Sequence, residues 1–213
     1  MNKKTNKNKK TAPHPKINQQ IPNSLIRSAR VFEPAQDLKK ARNLPFYGCW
    51  IMAGWHEQGI TAVIVARIQA SGKIIFGAYM IDLYCLGIKD AYIKSDISPR
   101  NFDRLLPKLC SEEPEKCSIE LAHEVIYGGM EYAEKLGFQP SPAFRETHAD
   151  LLLDLPDSHP RLDHVAFGMD GKPFFISGPY DNERKIQFVI DTLNRTVGEG
   201  NFTLLLGSPS DLF

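Results

Sequence analysis

The sequence predicts an α+β domain with a mixed sheet, on three observations. Two runs rich in β-branched side chains meet at Ser71-Gly72, Asp170-Gly171 marks a second hairpin far downstream, and two amphipathic helical patterns separate and follow them. An N-terminal strand hairpin and a C-terminal hairpin-helix-strand unit would then share one sheet, packed by two main helices.

Each element follows from local pattern. Phe46 to Met52 is a short apolar run that reads as a strand, ended by the turn-like AGWHEQG. Ile60 to Gln69 is dense in Ile and Val, and after the Ser-Gly turn Lys73 to Leu86 continues as a long apolar strand. Ile74, Phe76, Ala78 and Met80 take one parity there, while Ile75, Tyr79, Ile81 and Leu83 take the other. Apolar residues on both faces mark a central strand covered from both sides. Pro99 to Leu109 is a short amphipathic helix, followed by an acidic loop, SEEPEK. Ser118 is a good N-cap for a longer helix, in which Ala122, Ile126, Gly129, Ala133 and Leu136 build a slim packing face before Gly137 stops it. Val165 to Gly168 and Pro173 to Ile176 flank the Asp-Gly turn as hairpin arms. Asp181 or Asn182 caps a last helix with Ile186, Val189, Ile190, Leu193 and Val197 as its apolar stripe; Gly198 ends it, and Phe202 to Leu206 closes as a strand.

The 213 residues, 42% hydrophobic and 24% charged, suffice for one domain with its own core. Residues 1–33 read as a flexible basic tail and linker, and residues 34–213 as a single globular domain. Residues 1–30 hold six Lys and two Arg with no acid, so the formal charge of +1 leaves 18 basic against 25 acidic side chains, or −7, from residue 31 onward. Lys3, Lys4, Lys7, Lys9 and Lys10 make the tail a candidate contact for nucleic acid, whereas the acidic remainder is expected to repel a phosphate backbone. The longest nearly apolar stretch, Ile74 to Ile88, contains Asp82 and falls short of the roughly 20 residues that a bilayer span needs. The polar, lysine-rich start does not read as a secretory signal, so the cytoplasm is the expected compartment.

Asp82 is the most informative polar residue, because it interrupts a run that otherwise reads as buried on both faces. A buried carboxylate needs a partner or a raised pKa, and Lys89 follows at the strand end. Cys85 has the opposite strand parity, which separates its thiol from Asp82. On the long helix His123, Tyr127 and Glu131 are spaced four apart, so imidazole, phenol and carboxylate share one side and could form an acid-base array if they open into a cleft. Asp82, Lys89, His123 and Tyr127 are therefore the candidate catalytic residues. Cys110, Cys117 and His123 give C-x6-C-x5-H, which lacks the tight knuckle of a structural zinc site. His159 and His164, in SHPRLDH, read as surface loop. No Walker loop, G-x-G-x-x-G, G-x-S-x-G or H-E-x-x-H motif occurs, so no cofactor identifies itself.

IDLYCLGIKDAY at 81–92, LAHEVIYGGMEYAEKLGF at 121–138 and FGMDGKPFFISGPYDN at 167–182 resemble the signature blocks of an uncharacterised bacterial protein family. The blocks reduce here to Asp82, Cys85, Gly87 and Lys89, then His123, Tyr127 and Gly128, then Asp170, Gly171, Pro173, Gly178 and Pro179. The resemblance spans about Leu44 to Leu206 and implies no activity. From the residues alone, the leading expectation is a cytosolic domain with a small polar cleft of hydrolytic type. The alternative is a binding module whose acidic fold docks a protein partner while its basic tail contacts nucleic acid.

Overall fold

The computed structural model describes residues 38–110, 112–178 and 181–206. The basic tail with its five candidate lysines, and Pro179, lie outside the described residues. The architecture is α+β. Strands β1 (Phe46–Met52), β2 (Ile60–Ile68), β3 (Ile74–Asp82), β4 (Gly87–Ile97) and β5 (Pro114–Cys117) form an antiparallel sheet in the order β4-β3-β2-β1-β5. The helices are α1 (Trp55–Gln58), α2 (Pro99–Leu109), α3 (119–135), α4 (Ala143–Glu146) and α5 (Glu183–Thr196). Strands β6 (Phe174–Ile176) and β7 (Thr203–Leu205) pair in parallel as a separate ribbon, so the strands divide between two sheets instead of sharing one.

β3 is buried along nearly its whole length, as its double parity requires. Its Ile74, Phe76 and Ala78 face α2, packing with Trp50, Ile64 and Phe102. Tyr79 and Ile81 face α3, packing with Val63, Val125 and Ile126. α2 is set by Ser98, whose hydroxyl accepts from the Asn101 amide at 3.4 Å, and by the spacing of Phe102, Leu106 and Leu109 on its buried side. α3 starts on the expected Ser118 cap and buries the expected Ala122, Ile126 and Ala133, then ends where Gly137 takes a positive φ of 91°. Its middle, Glu124–Gly128, is a π-helical turn. α5 is capped by Asn182 and packs Val189 and Leu193 on Cys85, Ala133 and Phe175.

Four local expectations change. The strand expected over Lys73 to Leu86 stops at Asp82, whose carboxylate draws the following amides into a turn; the chain then returns as β4, a strand that the apolar pattern does not announce. Asp170 and Gly171 both have positive φ, 52° and 75°, as an Asp-Gly hairpin turn demands. The turn closes only a single Met169–Lys172 bridge, because the Gly168 amide bonds Leu83 O and the Phe174 amide bonds Tyr84 O instead of each other's strand. Within the acidic loop, Pro114–Cys117 serves as the edge strand beside β1, and AGWHEQG contains the one-turn helix α1. No helix among the described residues is long and apolar enough to cross a membrane.

Candidate functional site

Asp82 ends β3 opposite Gly87 and is 4% exposed. Its Oδ1 accepts from the amides of Tyr84 at 2.9 Å and Cys85 at 3.0 Å. Burial raises its carboxyl pKa, and this outweighs the opposing pull of the Lys89 charge and of the Tyr84, Leu86 and Cys85 amides. Strand parity does not separate Cys85 from Asp82, since the chain has already left the strand. The Cys85 thiol is fully buried and its pKa is pushed well up by that burial, which suppresses the thiolate that nucleophilic attack needs. The carboxylate thus works as a turn cap. Asp82→Ala, which strands the turn amides, is expected to lower stability by about 1–3 kcal/mol. Asp82→Asn keeps an acceptor without a buried charge, so its urea midpoint at neutral pH should equal or exceed wild type; an Asn variant as unstable as Ala would show that the charge itself is required.

His123 and Tyr127 stand elsewhere on the molecule. The Asp82 turn packs on the later part of α3, where a Cβ on Gly87 would lie 2.8 Å from both Gly129 O and Ala133 Cβ. His123 is six residues earlier, about 9 Å along the helix at 1.5 Å per residue. Among the described residues no hydrogen bond or ion pair joins Asp82 or Lys89 to His123 or Tyr127. The helix does bring those two rings together, with centroids 4.6 Å apart, but they pack under the segment after α4 and are 2% and 5% exposed.

That segment supplies residues the sequence reading missed. Asp154 accepts from Arg67 Nη2 at 2.8 Å through Oδ1, and its Oδ2 lies 3.1 Å from His159 Nε2. His159 stacks edge-on against His123 at 4.8 Å, which corrects its reading as plain surface; His164 is exposed as expected. The Tyr127 hydroxyl donates to Asp154 O at 3.1 Å, and His123 Nε2 lies 2.9 Å from Leu155 O. A carbonyl can only accept, so Nε2 carries the proton of the neutral ring. Ser158 Oγ donates to the same carbonyl at 2.6 Å and is 3.5 Å from Nε2, which therefore has no lone pair with which to activate it. Arg161 binds Glu124 Oε2 at 3.3 Å and also Glu131, clamping the π-helical turn. Burial raises the Asp154 carboxyl pKa, but the hydrogen bond from His159 and the Arg67 guanidinium more than offset it and hold it below the usual carboxylate value.

Burial holds the His123 imidazole below its ordinary pKa of 6.5. The unfolded chain then binds this proton at higher pH than the folded one. Stability from this site is complete above about pH 6.5 and is lost as pH falls through the folded value. Urea midpoints should therefore drop as the pH falls below about 6.5, and His123→Gln, which keeps a donor for Leu155 O, should flatten that drop. An equal slope in the variant would remove His123 as its source.

A third place carries charge. Lys73, Lys94, Arg104 and Lys108 line a cleft of about 610 Å³ between the end of β4 and α2, with Ser98 and Asn101 also in its lining. All four cations are exposed, and none makes an ion pair among the described residues. Asp96 is the single acid in the lining. A bulge builds this wall: Ile74 pairs with Ile97 and Phe76 with Lys94, so two steps of β3 oppose three of β4, and Asp96 takes a φ of 58°. The bulge brings the consecutive residues 94–98 to one cleft, which a regular strand would split between two faces. The −7 of residue 31 onward is a sum over many side chains, and this cleft is locally cationic. Among the described residues no three His, Cys, Asp or Glu side chains are grouped to hold a metal ion. No family model, curated protein or solved structure matches the chain.

Proposed function

We propose that this chain is a binding module for phosphate-bearing polyanions, held in the cleft between β4 and α2. One observation carries the reading: four cationic side chains, without ion-pair partners among the described residues, converge from two walls of a concave site against one carboxylate. Cations grouped without ion-pair partners raise the local potential and draw anions to it. A hydrolytic site built from Asp82, Lys89, His123 and Tyr127 would need those groups to converge. They occupy two places instead, where Asp82, His123 and Tyr127 are engaged by backbone groups. Binding is therefore favoured over acid-base chemistry.

The test is calorimetric titration of the full chain with inorganic polyphosphate. Wild type should bind with an affinity that falls steeply between about 50 and about 200 mM salt, as expected where counterions are released. The Lys94→Ala/Arg104→Ala double variant should bind at least about tenfold more weakly, a factor equal to about 1.4 kcal/mol. Both side chains are exposed, so the fold should be unaffected. Equal binding by the double variant would move the binding site away from the cleft.

A further inference from the structure

We infer that the polyanion is single-stranded nucleic acid, lying in the cleft and continuing over α2 toward Tyr47; this rests on the binding reading above. The cleft has cations on both walls, Lys73 and Lys94 from the sheet and Arg104 and Lys108 from the helix. Such a recess can neutralise one phosphodiester strand from two sides. A duplex instead offers a convex surface and is entered by a protruding helix or ribbon that fits its roughly 12 Å major groove. α2 is seated on the sheet by Phe102, Leu106 and Leu109 and serves as one wall of the cleft.

The path beyond the cleft is also marked. Asn101, Arg104, Leu105 and Lys108 share one side of α2 by their helical spacing, and Arg100, one turn before Arg104, continues the cationic row on the exposed surface. Beside α2 stands Tyr47, 37% exposed, with its ring edge-on to Phe102 at 5.9 Å and 6.3 Å from Trp50. These neighbours hold the ring in place, and a held aromatic ring with an exposed portion is a stacking platform for an unpaired base. All of this lies at one end of the sheet, where Ile74 pairs with both Ile68 and Ile97 and the Ile68 amide bonds Pro45 O just before β1. No aromatic side chain among the described residues lines the cleft itself, so the phosphate contacts read backbone and not base sequence. Tyr47 then supplies the preference for single strands, because a duplex keeps its bases stacked on one another.

The experiment measures fluorescence anisotropy of the full chain with a labelled oligo-dT of about 15 nucleotides, within the range of known single-strand sites, and with a duplex of equal length. Wild type should prefer the single strand by about tenfold or more. Lys94→Ala/Arg104→Ala should weaken oligo-dT binding at least about tenfold and reduce the log-log salt slope by about 1.4, at about 0.7 for each phosphate that is no longer neutralised. Tyr47→Leu, which keeps an apolar side chain against Phe102, should weaken oligo-dT about tenfold while leaving inorganic polyphosphate binding and the melting midpoint unchanged. Duplex binding as tight as single-strand binding, with the cleft variant still defective toward polyphosphate, would overturn the single-strand assignment and leave the polyanion reading standing. Unchanged polyphosphate and oligo-dT binding by the cleft variant would overturn both.

Discussion

Arg67→Ala should destabilise the protein by about 3 to 5 kcal/mol, the range for breaking a buried charge pair by removing one partner. Arg67 is 5% exposed near the end of β2 and ties two separate segments to it, the chain before β1 and residues 152–154. Its Nε donates to Leu152 O at 2.9 Å, its Nη1 to Leu44 O at 3.1 Å and its Nη2 to Asp154 Oδ1 at 2.8 Å. Removal strands two carbonyls and a carboxylate beneath the packed segment that covers His123 and Tyr127. Asp154 keeps 31% of its side chain exposed, so water relieves part of its loss and the effect should lie toward the lower end of the range. Arg67→Lys should recover only a fraction, because one ammonium cannot reproduce a planar fork that reaches three acceptors in fixed directions. Asp154→Asn leaves the two carbonyl bonds intact and should cost about 1 to 2 kcal/mol. Urea unfolding of the three variants orders them; an Arg67→Ala loss below about 1 kcal/mol would show that the segment holds itself without this anchor.

The same kind of signal marks Asp82 and Arg67 in the sequence, a charge inside an apolar strand pattern. Asp82 stands out because apolar residues continue on both sides of it, while Arg67 sits one residue before its strand ends and passes for a boundary. Its partner Asp154 is 87 positions away in a segment without periodicity, so no local pattern links them. The packing face of α3 is legible because its steps of four and three repeat, and the caps at Ser118 and Asn182 because capping is local chemistry. β4 is hidden by half-buried Lys89 and Asp90, which break the alternation, and by the turn that Asp82 caps. The π-helical turn has no sequence sign of its own. Nor does the basic cleft, assembled from residue 73, residues 94–98 and one side of α2, each unremarkable alone and masked by the acidic sum from residue 31 onward.

Gly87→Ala should cost about 2 to 5 kcal/mol, and the cause is separable into two parts. Gly87 has a φ of 64°, a conformation that costs an L side chain roughly 1 to 2 kcal/mol. Its added methyl would also lie 2.8 Å from Gly129 O and from Ala133 Cβ, where real contacts do not occur. One of those neighbours is helix backbone and the other a methyl fixed to it, so neither can swing aside, and overpacking of this kind adds about 1 to 3 kcal/mol. Gly72 provides the control. It has a φ of 75° in the β2–β3 turn, and nothing lies within 4 Å of its missing Cβ, so Gly72→Ala should carry the conformational part alone. The difference between the two variants then measures how closely α3 is seated on the β3–β4 turn, the contact that places Asp82 against the helix. Equal losses at both positions would mean that the helix yields by several tenths of an ångström at little cost, and that the glycine is required there for its backbone conformation only.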